Sequence, residues 1–349
     1  MKVNHFLKLF FVISLGFTNT SCMLTYLAKS GISQMKILTS REKIDKVLNQ
    51  SEISEKTREK LLLVKKVRDF CFNDLKLKKT KNYSSFVQLD DRYVSYLLRV
   101  APKYELKSYK WSFPIVGTFP YLGFFDKQDA LDEQTKFKND NYDTYVRGVT
   151  AFSSLGWFND PVLSSMMNYE NHDLVNLIIH ETVHSTLFIK DNVSFNERLA
   201  TFLANIGTKM YYQKIEGNDS NTIQLVNQEQ IDDKLFSAFI TDELKHLKKW
   251  YKETDNVTDE LKTNRLQLIT DNFDTVLKPK LKTKKYFYFS KKELNNANLL
   301  PYQTYLSDLS DFEKVHTILG SDFHKTLDYL KTLEDEKDAI KALKTKANN

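Results

Sequence analysis

The residues His180-Glu181-Thr182-Val183-His184 read H-E-x-x-H. Residues four apart share one face of a helix, so the two imidazoles can converge on one metal ion. Glu181 is offset by one position, where it reaches a water on that metal rather than the metal itself. The chemistry this pattern serves is hydrolysis by a zinc-activated water with a glutamate general base. Apolar residues surround the motif: Leu174, Val175, Leu177, Ile178, Ile179, Val183, Leu187 and Ile189. Such a helix should be buried, and buried imidazoles and carboxylates need partners. A metal supplies one. The plain alternative is a core helix that happens to carry two histidines.

A catalytic zinc takes three protein ligands and keeps one position for water. The next carboxylates downstream are Asp191 and Glu197. Asp191 sits in the polar turn Lys190-Asp191-Asn192, where turn formation explains it. Glu197 precedes the apolar run Leu199-Ala200-Thr201-Phe202-Leu203-Ala204, with Gly207 as the expected stop. The stretch therefore reads as helix, tight turn, helix, which folds Glu197 back over the two histidines. A competing reading makes Ser194-Phe195-Asn196-Glu197 a capping box, with Glu197 bonded to the backbone of Ser194. One carboxylate cannot fill both roles fully. The need of the histidine pair for a third ligand favours ligation.

The spacing His180-Glu181-x-x-His184, twelve residues, then Glu197 in Phe195-Asn196-Glu197-x-x-Ala200 resembles the gluzincin arrangement. More narrowly, the chain resembles a bacterial family of lipoprotein aminopeptidases inferred from this motif. The matching segments include 111–117, 121–126, 145–149, 151–163 and Leu294-Asn295-Asn296-Ala297. The resemblance implies a zincin-like domain, one Zn2+ held by His180, His184 and Glu197, and Glu181 as base for peptide hydrolysis. It offers Tyr305, with Tyr302 and His316 as alternatives, as donor to the tetrahedral oxyanion, and Asn295 and Asn296 as substrate contacts. The ordinary reading of the asparagines is a turn or cap pair. One departure stands out: the family's second helix usually carries an acid seven positions after the ligand glutamate, where this chain has Ala204. Thr201, Asn205 or a water are the available stand-ins.

Over the whole chain, 349 residues with 41% hydrophobic content suffice for one large domain. Nine glycines and six prolines are too few for a loop-rich sandwich. The net charge of +6 comes from 51 basic and 45 acidic residues spread along the chain, which is no nucleic-acid footprint. The densest basic run, residues 278–285, reads as a solvated turn leading into a strand.

Residues 1–21 read as a signal peptide: Lys2 and Lys8, then an apolar stretch to Phe17 too short to span as a mature helix. Asn19-Thr20-Ser21-Cys22 resembles a lipobox, with Cys22 as the lipidated first residue and Asn19 in place of the usual aliphatic one. This predicts an exported protein, lipid-anchored through Cys22 and facing the periplasm. Ordinary cleavage nearby and an uncleaved anchor are the alternatives. The other cysteine, Cys71, lies in an apolar helical pattern with no reactive context.

The remaining chain, 22–349, reads as one mostly helical α+β domain with a small sheet beside the zinc helix. Residues 22–100 read as a helical part, 101–210 as sheet and zinc-binding helices, and 211–349 as helical again, ending in a frayed Lys-rich tail. Ser153-Ser154-Leu155-Gly156 is the expected sheet edge for pairing with an extended peptide substrate. Gly156 would admit its backbone closely, and a strand-to-loop exit is the alternative. A zinc endopeptidase or an amidase acting on envelope material is the alternative among hydrolases, and a binding or scaffold lipoprotein with a structural or decayed zinc site is the reading from another class.

Overall fold

A computed structural model describes residues 26–113, 117–151, 159–190, 192–305 and 308–348. The chain opens with helix α1 over residues 26–39, then strand β1 (Glu42–Lys43), α2 (Ile44–Leu48) and α3 (Glu55–Asn73). Ser54 starts α3, its side chain accepting from the Thr57 backbone N–H. Leu61, Val64, Val67 and Cys71 then fall at three- and four-residue intervals and are fully buried.

A β-rich section follows: β2 (Ser85–Val87), β3 (Ser95–Pro102), β4 (Trp111–Phe113), β5 (Gly117–Phe119), β6 (Leu122–Phe124), α4 (Lys127–Asn139), β7 (Tyr142–Val149) and β8 (Val162–Leu163). They form three small sheets, ordered β1-β2-β8, β6-β3-β7 and β4-β5. The expected helical part up to residue 100 is therefore wrong in its last third, which supplies β2 and β3. Ser95-Tyr96-Leu97-Leu98-Arg99-Val100-Ala101 hides the strand because β3 is the middle strand, paired on both sides and largely buried. Its apolar run lacks the alternation that marks a half-exposed strand.

The second half is helical: α5 (Asn171–Thr186), α6 (Val193–Glu216), α7 (Asn221–Glu253), α8 (Asp259–Asn272), α9 (Asn296–Leu299), α10 (Pro301–Tyr305), α11 (Ser310–Ile318), α12 (Phe323–Thr332) and α13 (Ala339–Ala347). The molecule is thus mostly helical with small sheets, as the α+β reading expected. The Lys-rich tail is not frayed. α13 buries Ala339 and Leu343 in the main core while its lysines face out. The basic run near residue 280 leads to no strand. The buried Asp232 carboxylate accepts from the backbone N–H groups of Lys282 and Thr283, and Tyr286 and Phe289 pack on Phe236.

The main core joins α3, α5, α6, the β1-β2-β8 sheet and the C-terminal helices. A second core gathers α7 to α9 beneath one end of β3, and a third fills the space between the β6-β3-β7 sheet and α4. The metal-motif helix α5 therefore lies in the main core, packed on α3 and α6.

α6 does not stop at Gly207. It runs on to Gly217, whose φ of +85° ends it. Gly207 instead lies where α6 crosses α5. A Cβ there would stand 3.0 Å from Leu75 Cδ1 and 3.1 Å from Ile179 Cγ2. The glycine lets the two helices approach closely.

Candidate metal centre

α5 carries His180, Glu181 and His184 on its last two turns, and α6 begins at Val193 after a short link. Asn196 holds that link from both sides: its Oδ1 accepts from the Ile189 N–H at 2.8 Å and its Nδ2 donates to the Ile189 carbonyl at 2.7 Å. Asn196 is buried, so this pair fixes the angle between the helices. Lower down, Asn176 Nδ2 reaches Asn205 Oδ1 and Thr208 Oγ1, both at 3.2 Å.

The fold brings His180, His184 and Glu197 together. The two Nε2 atoms are 3.1 Å apart. Glu197 Oε2 lies 3.5 Å from His180 Nε2, and its Oε1 lies 3.5 Å from His184 Nε2. The carboxylate thus straddles both imidazoles, which pull it down to about 2 from its ordinary value. The capping-box alternative for Glu197 is not realised. The helix starts at Val193 with Asn192 as its cap, so Ser194 already lies inside the first turn. A side chain on a helix leans toward the N-terminal turn, which carries the Glu197 carboxylate over Val193 and toward α5. Asp191 lies outside the described residues.

The donor set fits a zinc ion: two imidazole nitrogens and a carboxylate oxygen, drawn to one point. Two imidazole nitrogens facing each other at 3.1 Å can share at most one proton, and a common cation satisfies both lone pairs. His184 Nδ1 and Glu181 Oε2 are buried without hydrogen-bond partners among the described residues. Ala204 is fully buried, and Asn205 is engaged by Asn176. Asn205 is therefore taken, and Ala204 supplies no acceptor.

Glu181 faces a neighbour that lies far off in the sequence. Asn82 donates to Ser185 Oγ at 3.2 Å, one turn beyond Glu181, and also accepts from the Asp160 N–H. Next to it Tyr83 is buried against this face of α5, its N–H bonded to the Asp160 carbonyl at 2.7 Å. Burial pushes the Tyr83 phenol well up, with the Glu181 charge the strongest electrostatic contribution. Tyr83 has φ +56°, a left-handed conformation that costs a bulky residue roughly 1–3 kcal/mol. No local pattern in the sequence marks it.

Other expected residues fall elsewhere. Asn296 is fully buried: it donates to the carbonyls of Pro102 and Lys103 and accepts from Tyr251. Asn295 caps α9 through Asn298. Both asparagines fasten α9 to β3 and β7, the cap and turn role of their ordinary reading. Tyr302 packs on Phe236 and Phe289 in the second core. His316 bonds Thr326 and packs on Phe202. Neither joins the centre.

Tyr305 ends α10, and its side chain lies outside the described residues, as do Ser153, Ser154, Leu155, Gly156 and Cys22. Cys71 is fully buried, and burial lifts its thiol to about 12, so it is no nucleophile.

His172, outside the metal-ligand spacing of the motif, meets Glu229 of α7 at 3.2 Å and Asp173 at 3.7 Å. The ion pair ties the start of α5 to α7. Its partner is 57 residues away, beyond any local spacing rule.

Two adjacent helices of a mostly helical chain thus bring the H-E-x-x-H histidines and a glutamate to one point, a donor group that could hold a metal ion. The chain belongs to the family described as "Putative aminopeptidase", whose pattern matches residues 25–344. Neither the curated proteins nor the solved structures include a match.

Proposed function

We propose that this chain is a zinc-dependent aminopeptidase of gluzincin type, exported and anchored in the bacterial envelope through a lipid on Cys22. The observation that carries the reading is the convergence of His180, His184 and Glu197 within 3.5 Å of one another. Family membership directs it to peptides. A zinc ion held by these three residues would acidify a water molecule and polarise the scissile carbonyl.

The chain's own groups do the rest. Glu181, half-buried and with its Oε2 unpaired among the described residues, takes the proton of the attacking water and delivers it to the leaving amine. Tyr83, buried within electrostatic reach of Glu181, is the proposed positioning neighbour of that base. Tyr305 remains the proposed hydroxyl donor to the oxyanion. Arg198, next to Glu197, donates to the carbonyl of Asp308, which fastens the chain three residues beyond Tyr305 beside the centre. Ser153 to Gly156 remain the proposed edge for an extended substrate, on the path from β7 to α5.

The test is a peptide library offered to the zinc-loaded protein and to Glu181→Gln. The reading expects shortening from the amino end by the wild type, and loss of at least about a thousandfold in rate by the variant with zinc retained. Internal cuts would make it an endopeptidase. Equal behaviour of the two proteins would favour a scaffold whose zinc site is structural, a reading to which the unpartnered His184 Nδ1 and the buried Ala204 lend weight.

A further inference from the structure

α1 has two unlike faces. At 100° per residue, Tyr26, Ser30, Ser33 and Ile37 share one side, which is turned toward the rest of the chain. Tyr26 donates to the Gly123 carbonyl at 2.6 Å and packs on Phe113 and Phe124, and Ile37 is buried in the main core. The opposite side, an arc of about 140° over residues 27–35, holds Leu27, Ala28, Gly31, Ile32 and Met35. All five are exposed, Ile32 at 71%, Met35 at 56% and Leu27 at 43%. That arc carries no charged side chain. The lysines at its border, Lys29 and Lys36, are paired with Asp129 and Asp90.

A helix face turned to water ordinarily carries charge, and isolated exposed apolar residues need no explanation. Five in one stripe, with nothing of this chain over them among the described residues, form a contact surface.

We infer that this stripe rests on the lipid bilayer and sets the orientation of the anchored protein. The inference relies on the lipid at Cys22 proposed above. Tyr26 lies only four residues beyond Cys22, a reach of at most about 14 Å. The headgroup zone is itself about 5–8 Å deep on each side, so a lipid on Cys22 brings the start of α1 to the membrane surface. The stripe, residues 27–35, spans about 12 Å, enough to rest along the interface with its apolar side sunk about 5–10 Å. A second protein copy fits less well. Five small or medium side chains fall well short of the ~800 Å² per partner of a specific interface. Among the described residues no helix is long and apolar enough to cross a membrane, so the contact is one of lying on the surface.

The test places an environment-sensitive fluorophore on Met35→Cys and, separately, on Ile32→Cys, in full chain processed in cells and reconstituted into phosphatidylethanolamine–phosphatidylglycerol vesicles. Cys71 is buried and does not compete for label. Leu268→Cys, 52% exposed on α8, is the control. The inference expects blue-shifted emission and at least threefold weaker quenching by aqueous iodide at 32 and 35 than at 268. Vesicle-bound protein quenched equally at all three positions overturns it while leaving the anchor intact. Protein that stays in the soluble fraction with Cys22 unmodified overturns both.

Discussion

At the residue scale the account rests on five side chains, and they separate by what their loss removes. Glu181→Gln keeps the ligands and removes the base. Glu197→Gln leaves the imidazole pair without its carboxylate, so zinc affinity should fall by orders of magnitude, as a competition titration against a chromophoric chelator will show. Tyr83→Phe removes only a hydroxyl beside Glu181. It should lower kcat about tenfold with KM, zinc content and Tm nearly unchanged, whereas unchanged kcat would leave Tyr83 a packing residue. The metal-motif residues and Glu197 were legible in the sequence because ligation imposes fixed spacings on one helix and its neighbour. Tyr83 was not. Its neighbour Asn82 meets α5 at Ser185, 103 residues away, and its left-handed backbone leaves no trace in residue type. Asn295 and Asn296 carried two readings in the sequence, and the bonds they make, pinning α9 to β3 and β7, are those of the turn-and-cap one.

At the scale of elements, α5 and α6 act as one unit. Gly207→Ala tests their close approach. Alanine adds about 1 kcal/mol of helix propensity, but its Cβ meets Leu75 and Ile179 at 3.0 and 3.1 Å. Overpacking of this kind costs about 1–3 kcal/mol. The variant should therefore be less stable by urea unfolding and should bind zinc more weakly, because the helices that carry the ligands are pushed apart.

The His172–Glu229 pair ties α5 to α7 and is pH-dependent. The hydrogen bond to Glu229 raises His172 above its ordinary 6.5. Its contribution is complete below that value and fades as the pH rises through the raised one. Wild-type stability should decline as the pH rises through the raised His172 value more than that of Glu229→Gln, compared by urea midpoints. Elements with strong periodicity, such as α3 and the α5–α6 pair, were readable locally. β3 and the continuation of α6 past Gly207 were not, because burial on both sides erases alternation and because packing overrode a helix-breaking residue.

For the whole molecule, metal and stability are linked. A cation bound by the native state alone, at about a thousandfold its Kd, adds about 4 kcal/mol. Chelation should accordingly lower Tm by on the order of 5–10 °C, and restored zinc should reverse the shift. The measurement that bears most directly on the central claim is the metal content of the purified protein beside that of Glu197→Ala. One zinc per chain in the wild type, and far less in a variant that remains folded by circular dichroism, is the predicted result. Equal zinc in both proteins, or none in a wild type dialysed against zinc, would contradict a three-residue site built across α5 and α6.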